Sequence, residues 1–157
     1  MSNKAIGADN QQERLLMLSP DYIVGLVDGE GYFSVTARID TSKTYRSLRV
    51  QMVFGIDLKE GDSAILHRVR NYFGCGTFSR KQDARPNFCN CIRYQVRDIA
   101  HIQEKIIPFF TKHILQIESK RTSFERFCEI ADMFRRKLHL RDSGFKKIQI
   151  LARQLHQ

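Results

Sequence analysis

The spacing of apolar side chains near the start of the chain predicts a short helix. Ser19, Pro20 and Asp21 form a helix start, because serine accepts hydrogen bonds at the N-cap, proline fits the first turn and an acidic group suits the positive end of the helix dipole. The helix should extend to about Asp28. Its apolar residues lie on every side, which is typical of a helix that is covered all round.

From Tyr32 the pattern changes to a period of two, which is typical of strands with one buried and one solvent-facing side. One strand runs from about Tyr32 to Asp40, and after a polar turn a second runs from about Ser47 to Ile56. Together they predict a long β-hairpin. The side chains expected in the core are Phe33, Val35, Ala37, Ile39, Leu48, Val50, Met52, Phe54 and Ile56.

The remaining residues predict a helix, a shorter hairpin and a helical last third. Strands at 76–82 and around 92–97 enclose a turn at 83–87, and Pro108 is expected to separate two helices. The helices should run from Gly61 to about Tyr72, from Asp98 to about Ile107, from Glu118 to about Lys137 and from Asp142 to Leu155. This order indicates one α+β domain over residues 19–157, after a partly ordered arm at 1–18.

Composition narrows the classes of function. The 157 residues carry 26 Lys and Arg against 17 Asp and Glu, a net charge of +9. Their 42% hydrophobic content supports a core, and no apolar run is long enough to cross a membrane. The first 18 residues do not resemble a secretion signal. Such a charge suits nucleic acid, an anionic membrane surface or solubility alone, and composition does not choose among them.

The four cysteines, Cys75, Cys89, Cys91 and Cys128, form no CxxC pair. Their spacing suits neither a zinc site nor a disulfide framework. We therefore expect reduced thiols, an intracellular protein and no disulfide-linked partner, whereas the choice between cytoplasm and an organelle stays open.

The outward side chains of the four strands are rich in Arg, Gln, Ser and Thr. These residue types bind base edges and phosphates, and antiparallel ribbons fit a major groove. An ordinary solvated sheet face is the alternative, but one aspartate among several cations favours DNA binding. The set is Tyr32, Ser34, Thr36, Arg38, Asp40, Ser47, Arg49, Gln51, Thr77, Ser79, Lys81, Arg93, Gln95 and Arg97.

Residues 23–31, which read IVGLVDGEG, resemble the LAGLIDADG motif of homing endonucleases, and an aromatic pair, Tyr32 and Phe33, opens the next strand. Further matches are Phe54-Gly55-Ile56, Gly74 with Gly76, and Ser119-Lys120-Arg121. The resemblance covers residue 19 to the end and implies the αββαββα homing-endonuclease fold, with a twisted antiparallel DNA-binding sheet.

The glycines of the motif predict a close helix contact. Gly25 and Gly29 lie four residues apart on one helix face, where missing side chains allow a second helix to approach. Because the chain has one such motif, that helix would belong to a second copy in a two-fold dimer. The interface would contain Tyr22, Gly25, Leu26 and Gly29. The alternative is that the glycines only ease packing within the chain.

Glu30 is the main candidate for catalysis. We expect it just beyond the end of the first helix, where free carbonyls attract cations. Two copies of Glu30 and the Gly29 carbonyl would form an oxygen-rich site suited to Mg²⁺, which can activate water for phosphodiester hydrolysis.

The family resemblance implies further site residues. It assigns metal binding to Glu30 and a helix-end hydrogen bond to Asp28. A lysine that polarises water corresponds to Lys120, with Lys112 as the fallback. For a polar family residue on the central strand, the candidate is Gln51, which faces outward. The chain departs from the family pattern at Gly55 and Leu58, which stand where other members carry glutamine.

These features together predict a homodimeric, site-specific, Mg²⁺-dependent DNA endonuclease. The resemblance implies cleavage of a long, pseudo-palindromic duplex that leaves 3′ overhangs. The alternative is a binder that does not cleave, either an intron RNA maturase or a DNA-binding regulator on the same fold. An acidic residue at Glu30 favours cleavage.

Overall fold

The computed structural model describes residues 17–82 and 90–155, and there the helices and strands follow the predicted order. The strands are β1 (Gly31–Thr41), β2 (Arg46–Lys59), β3 (Thr77–Lys81) and β4 (Cys91–Val96). The helices are α1 (Pro20–Glu30), α2 (Ala64–Phe73), α3 (Ile99–His101), α4 (Ile107–Lys112), α5 (Glu118–Arg135) and α6 (Asp142–Gln154). The predicted turn at 83–87, most of the arm at 1–18 and Cys89 lie outside the described residues.

The four strands form one antiparallel sheet in the order β1-β2-β4-β3. Tyr32 pairs with Gly55, Gly55 pairs with Gln95, and Gln95 pairs with Thr77, so these four residues form one row across the sheet. Paired residues share a face, and the predicted alternation is therefore confirmed: the apolar positions lie on one side and the polar set on the other.

The core lies between the apolar face of the sheet and the helices. Phe33 on β1 is its centre, with ring centroids of Phe54, Phe110, Phe124 and Phe127 at 5.2 to 5.8 Å. These contacts join β1 and β2 to α4 and α5. Burial of such aromatic side chains is a large stabilising contribution and fixes α5 relative to β1.

Helix α1 begins as predicted, with the Tyr22 backbone N–H donating to the Ser19 hydroxyl at 3.2 Å. It ends two residues later than expected, so Glu30 is its last residue rather than a residue beyond it. The expectation that the helix is covered all round is wrong for the single chain. Ile23, Val24 and Val27 are buried, but the opposite face is open.

The expectation that Pro108 separates two helices is also wrong. Asp98 caps the segment, accepting from the His101 N–H at 3.0 Å, but the helix continues through a π-helical turn at Ile102–Ile106 into α4. Pro108 is the second residue of α4 and follows that π-helical turn almost directly. A π-turn shifts the hydrogen-bond register and so accommodates the proline.

Candidate active site and nucleic-acid interface

The end of α1 brings two of the predicted catalytic residues to one place. Glu30 is exposed at the last helical position, and Gly31 follows it as the first residue of β1. The Lys120 ammonium group donates to the Gly31 carbonyl. The Lys120 cation therefore lies at the residue that follows Glu30, where the helix also directs its negative dipole end.

Asp28 positions Lys120 relative to α1. Its buried carboxylate accepts from the backbone N–H groups of Gln116 at 2.9 Å and Ile117 at 3.2 Å. These residues immediately precede α5, so Asp28 satisfies donors at the start of that helix and holds Lys120 near Glu30. The structure thus places Asp28 as a hydrogen-bond partner, with both carboxylate oxygens engaged by the chain.

A cavity of about 500 Å³ opens between β1, β4 and the start of α5. Its polar walls are cationic or hydroxyl-bearing, and no carboxylate lines it among the described residues. The polar lining residues are Tyr32, Ser34, Arg93, Gln95, Ser119, Lys120 and Ser123. Cations and hydroxyl groups without a competing carboxylate suit a phosphate.

A hydrogen-bonded row crosses the sheet beside this cavity. Gln95 Nε2 donates to the Tyr32 hydroxyl at 2.7 Å, and the Arg97 guanidinium donates to Gln95 Oε1 at 3.1 and 2.7 Å. The row passes over Gly55, which has no side chain. Gln95 is therefore buried, which corrects the expectation that it is free for DNA, and Arg97 lies just past the end of β4.

Arg93 and Asp57 form an ion pair in the next row. Arg93 Nε lies 2.9 and 3.1 Å from the two Asp57 carboxylate oxygens, and Nη2 lies 2.7 Å from Oδ2. This hydrogen bonding raises the pKa of Arg93, which stays charged. Sequence reasoning missed Asp57, although it continues the outward alternation of Gln51, Val53 and Gly55.

Gln51 is not brought to Glu30 and Lys120. It pairs with Thr36 and lies four residues from Gly55 on β2, which is about 13 Å along a strand. It lines a separate cavity with Arg38, Arg49 and Thr36. Its predicted catalytic role therefore has no geometric support.

The distal hairpin carries the remaining predicted DNA contacts in an open arrangement. Asp40 accepts from Arg49 at 2.7 Å and lies 3.5 Å from Arg38, and both arginines are exposed. Thr36, Thr77, Ser79 and Lys81 are exposed as well, whereas Ser34 and Ser47 are half-buried. All of them lie on the same face of the sheet as Tyr32.

The predicted interface face of α1 is open in the single chain. Among residues 17–82 and 90–155, no atom other than the helix's own backbone and chain neighbours lies within 4 Å of a Cβ built on Gly25 or Gly29. Tyr22 is 49% exposed and Leu26 is half-buried. An apolar helix face without a cover suits another helix.

The metal-binding potential of one chain is small. Within residues 17–82 and 90–155, no group of three or more His, Cys, Asp or Glu side chains could hold a metal ion. Glu30 is a single carboxylate beside the Gly29 carbonyl. The fallback Lys112 lines a different cavity, together with Asp21.

The helices and cysteines bear on the predictions about membrane spans and disulfides. Across the part of the chain that the structure describes, none of the helices has the length and apolar character needed to span a membrane. Cys75 and Cys128 form no disulfide, and burial raises the pKa of both thiols, that of Cys128 to about 12.

Known proteins resemble this chain in sequence. A family model described as LAGLIDADG endonuclease matches residues 23–131. The homing endonuclease I-ApeII of Aeropyrum pernix is 32% identical over 109 residues, 69% of this chain and 60% of that protein. A probable intron-encoded endonuclease 2 of Neurospora crassa is 33% identical over 133 residues, 83% of this chain but 28% of that protein. The chain thus spans about a quarter to three fifths of these relatives.

Solved structures resemble it in fold. The homing endonuclease I-TnaI has 32% identity and a TM-score of 0.77, with 90% of each chain covered. The meganuclease I-SmaMI, bound to uncleaveable DNA, has 29% identity and a TM-score of 0.71 over 85% of this chain and 43% of that one. The four-stranded sheet, the helix that ends at Glu30 and the matched motif lead to one assignment: this chain belongs to the LAGLIDADG endonuclease family.

Proposed function

We propose that the protein is a site-specific double-strand DNA endonuclease that acts as a homodimer on a long, pseudo-palindromic target and leaves 3′ overhangs. The observation that carries the proposal is the meeting of Glu30 and Lys120 at Gly31, at one end of a polar sheet face. Family membership supports it, as does the DNA-bound state of the I-SmaMI structure.

The residues at the end of α1 fit a divalent cation of the Mg²⁺ type. Glu30 and the Gly29 carbonyl are hard oxygen donors, and a second copy would supply the same pair. When bound, the ion supplies an activated water and stabilises the leaving oxygen. A structure of I-SmaMI bound to uncleaved DNA with calcium ions supports a divalent ion at sites of this family.

The chain's own residues have separate tasks in this proposal. Glu30 orients the water and binds the ion. Lys120 holds positive charge beside the phosphate and polarises the water. The exposed outward side chains of the sheet, such as Thr36, Arg38 and Lys81, contact phosphates and base edges along the grooves. The basic net charge of +9 adds a favourable, salt-dependent contribution to binding.

A second copy of the chain is proposed to pack against the glycine face of α1. The glycine face of α1 is open, and a two-fold axis through it would bring both Glu30 side chains together. The length match to I-TnaI supports a unit of this size, whereas about half of I-SmaMI remains beyond the match. Relatives named as intron-encoded support an intron origin and action inside the cell where that DNA lies.

Cleavage selection tests the activity. Purified protein is incubated with a library of randomised palindromic duplexes in Mg²⁺, and binding is recorded in Ca²⁺. We expect enrichment of cleaved sites in Mg²⁺. Binding without cleavage in either condition would contradict an endonuclease and would make intron RNA the next ligand to measure.

Glu30→Gln sharpens this test. We expect at least a 10³-fold loss of cleavage with DNA affinity in Ca²⁺ within about threefold, because only the metal ligand is lost. Glu104→Gln, an exposed carboxylate in the π-turn, is the matched control and should cleave normally. Normal cleavage by Glu30→Gln would remove Glu30 from the mechanism.

Sedimentation analysis tests the dimer. We expect wild-type protein to sediment as a dimer and Gly25→Leu to sediment as a monomer, because the added side chain projects into the helix contact. Gly61→Leu is the matched control, since its Cβ also meets open space but lies away from α1. A monomeric wild-type protein that binds DNA would contradict the two-fold arrangement.

A further inference from the structure

The hydroxyl group of Tyr32 is held in one orientation by hydrogen bonds across the sheet. Two guanidinium N–H groups of Arg97 donate to Gln95 Oε1. The amide nitrogen of Gln95 must therefore face Tyr32, and it donates to the phenol oxygen at 2.7 Å. Since that oxygen already acts as an acceptor, its own hydrogen is directed elsewhere.

The ring of Tyr32 lies in the space that Gly55 leaves open because glycine has no side chain. A Cβ built on Gly55 would lie 2.9 Å from Tyr32 Cε1 and closer still to Cζ and the hydroxyl oxygen. The ring tip thus occupies the space of a side chain at residue 55. The Arg93 guanidinium lies 5.8 Å from the ring centroid and covers it.

Asp57 is the competing acceptor for the hydroxyl hydrogen within the described residues. Burial raises the pKa of Tyr32, and the charge and hydrogen bonding of Asp57 raise it further, so the hydroxyl keeps its hydrogen at neutral pH. Both carboxylate oxygens of Asp57 also accept from Arg93, which competes with the hydroxyl for them. The hydroxyl is therefore a donor in a fixed place, for which a ligand phosphate would compete with Asp57.

The cavity beside Tyr32 has the chemistry of a phosphate site. Of its about 500 Å³, the polar boundary includes the Lys120 ammonium and the hydroxyl groups of Ser34, Ser119 and Ser123. No carboxylate lines its described part. A phosphate offers several acceptor oxygens and a negative charge, which match these donors, and tyrosine is among the side chains that bind DNA phosphates.

We propose that Tyr32 donates a hydrogen bond to a non-bridging oxygen of a DNA backbone phosphate in this cavity, and that Gln95 and Arg97 are positioning residues that act through Tyr32. The proposal rests on DNA as the substrate and adds a contact within the cavity that Lys120 also lines. It also explains why residue 55 is glycine: a side chain there would displace the donor.

Tyr32→Phe, Gln95→Glu and the double variant test the contact. Glutamate at 95 accepts only, so the Tyr32 hydroxyl would turn toward it and away from the phosphate. We expect each single variant to slow single-turnover cleavage about tenfold, with DNA affinity in Ca²⁺ within about threefold for Tyr32→Phe. Tyr45→Phe, on the exposed hairpin turn, is the matched control and should cleave normally.

The double variant separates this contact from other effects. If Gln95 acts through Tyr32, adding Gln95→Glu to Tyr32→Phe should change cleavage less than twofold. Wild-type rates for Gln95→Glu would overturn the proposal, because a purely structural hydrogen bond survives this change. If the effects of the two substitutions multiply in the double variant, the proposal is also overturned. Such a result indicates that the negative charge added by Gln95→Glu repels DNA independently of Tyr32. Should Tyr32→Phe fail to fold, the rate of Gln95→Glu alone decides.

Failure of the proposed function has a different signature. A wild-type chain that binds DNA without cleaving it contradicts the endonuclease. The effects of Tyr32→Phe, Gln95→Glu and the double variant are then measured on the dissociation constant for DNA. A loss of affinity of up to about threefold for Tyr32→Phe that Gln95→Glu does not deepen supports the phosphate contact, and wild-type affinity or independent losses overturn it.

Discussion

The polar face of the sheet has two regions that differ in how their side chains are held. In the proximal region, next to the end of α1, Tyr32, Asp57, Arg93 and Gln95 are linked by hydrogen bonds and partly buried. In the distal region of the hairpin, Arg38, Asp40, Arg49 and Gln51 form a looser, exposed group. The Arg93 and Asp57 side chains are 29% and 27% exposed, against 60% and 35% for Arg49 and Asp40.

This difference separates two tasks. Hydrolysis requires groups that are already in position before the reaction, because reorganisation adds to the barrier. Recognition of bases tolerates long, exposed side chains that settle when DNA arrives, at an entropic cost. The proximal region is therefore suited to the chemistry and the distal region to sequence preference. The following changes test the separation, beginning with the largest expected effect.

Lys120→Ala should reduce the cleavage rate about 10²-fold, because the cation in the proximal region is lost at the reacting phosphate. Lys146→Ala is the matched control, since Lys146 is exposed on α6 and lines neither the cavity of Lys120 nor the face of α1. Single-turnover rates with saturating protein provide the measurement. Equal losses in both variants would show that general charge, rather than the place of Lys120, determines the rate.

Gly55→Ala should lower the free energy of unfolding by about 1–3 kcal/mol, because its Cβ would overlap the ring of Tyr32. Gly61→Ala meets open space and should change it by less than about 0.5 kcal/mol. Urea denaturation of the two variants provides the comparison. An unchanged midpoint for Gly55→Ala would mean that the Tyr32 ring moves freely.

Arg49→Ala should cost about 1–3 kcal/mol at particular base pairs if the side chain contacts base edges, while the cleavage rate at saturation stays near wild type. Competition binding with a panel of single-base variants of the selected target measures this. A uniform loss over all sequences would assign Arg49 to phosphate binding instead. A fall in the saturated rate would break the separation of tasks.

The two ion pairs should differ in coupling energy. A double-mutant cycle of Arg93→Ala and Asp57→Ala should give about 1–2 kcal/mol, because the pair is bidentate and partly buried. The cycle of Arg49→Ala and Asp40→Ala should give less than about 1 kcal/mol and weaken in salt. Thermal or urea unfolding of each variant provides the values, and equal couplings would contradict the contrast.

Local patterns predicted most of the fold. The period of two assigned both hairpins and the face of each side chain, because a strand buried on one side must alternate. Ser19 marked the start of α1, and Gly74 marked the end of α2, where it adopts a left-handed φ of 62°. The prediction that Pro108 separates two helices was wrong, because the effect of a proline depends on the hydrogen bonds made by the residues before it.

The site was only partly predictable. Glu30 and Lys120 are 90 positions apart and came from the family resemblance, and the structure brings them together through Asp28 and the start of α5. Gln51 was assigned from the family resemblance and its outward direction, which gives a side chain's face but not its distance along the strand. Tyr32 and Gln95 face outward as Arg38 does, yet only pairing across three strands makes them a partly buried unit.

The sequence alone determined the element order, the inner and outer faces of the sheet, the basic charge and the motif at 23–31, because these depend on neighbours in the chain. Tertiary structure alone decided which polar groups are fixed and which stay open. Pairing of β1 with β2 and of β2 with β4 puts Tyr32, Gly55 and Gln95 in one row. Hydrogen bonds between distant residues need this register, and register follows from packing of the whole sheet against the helices.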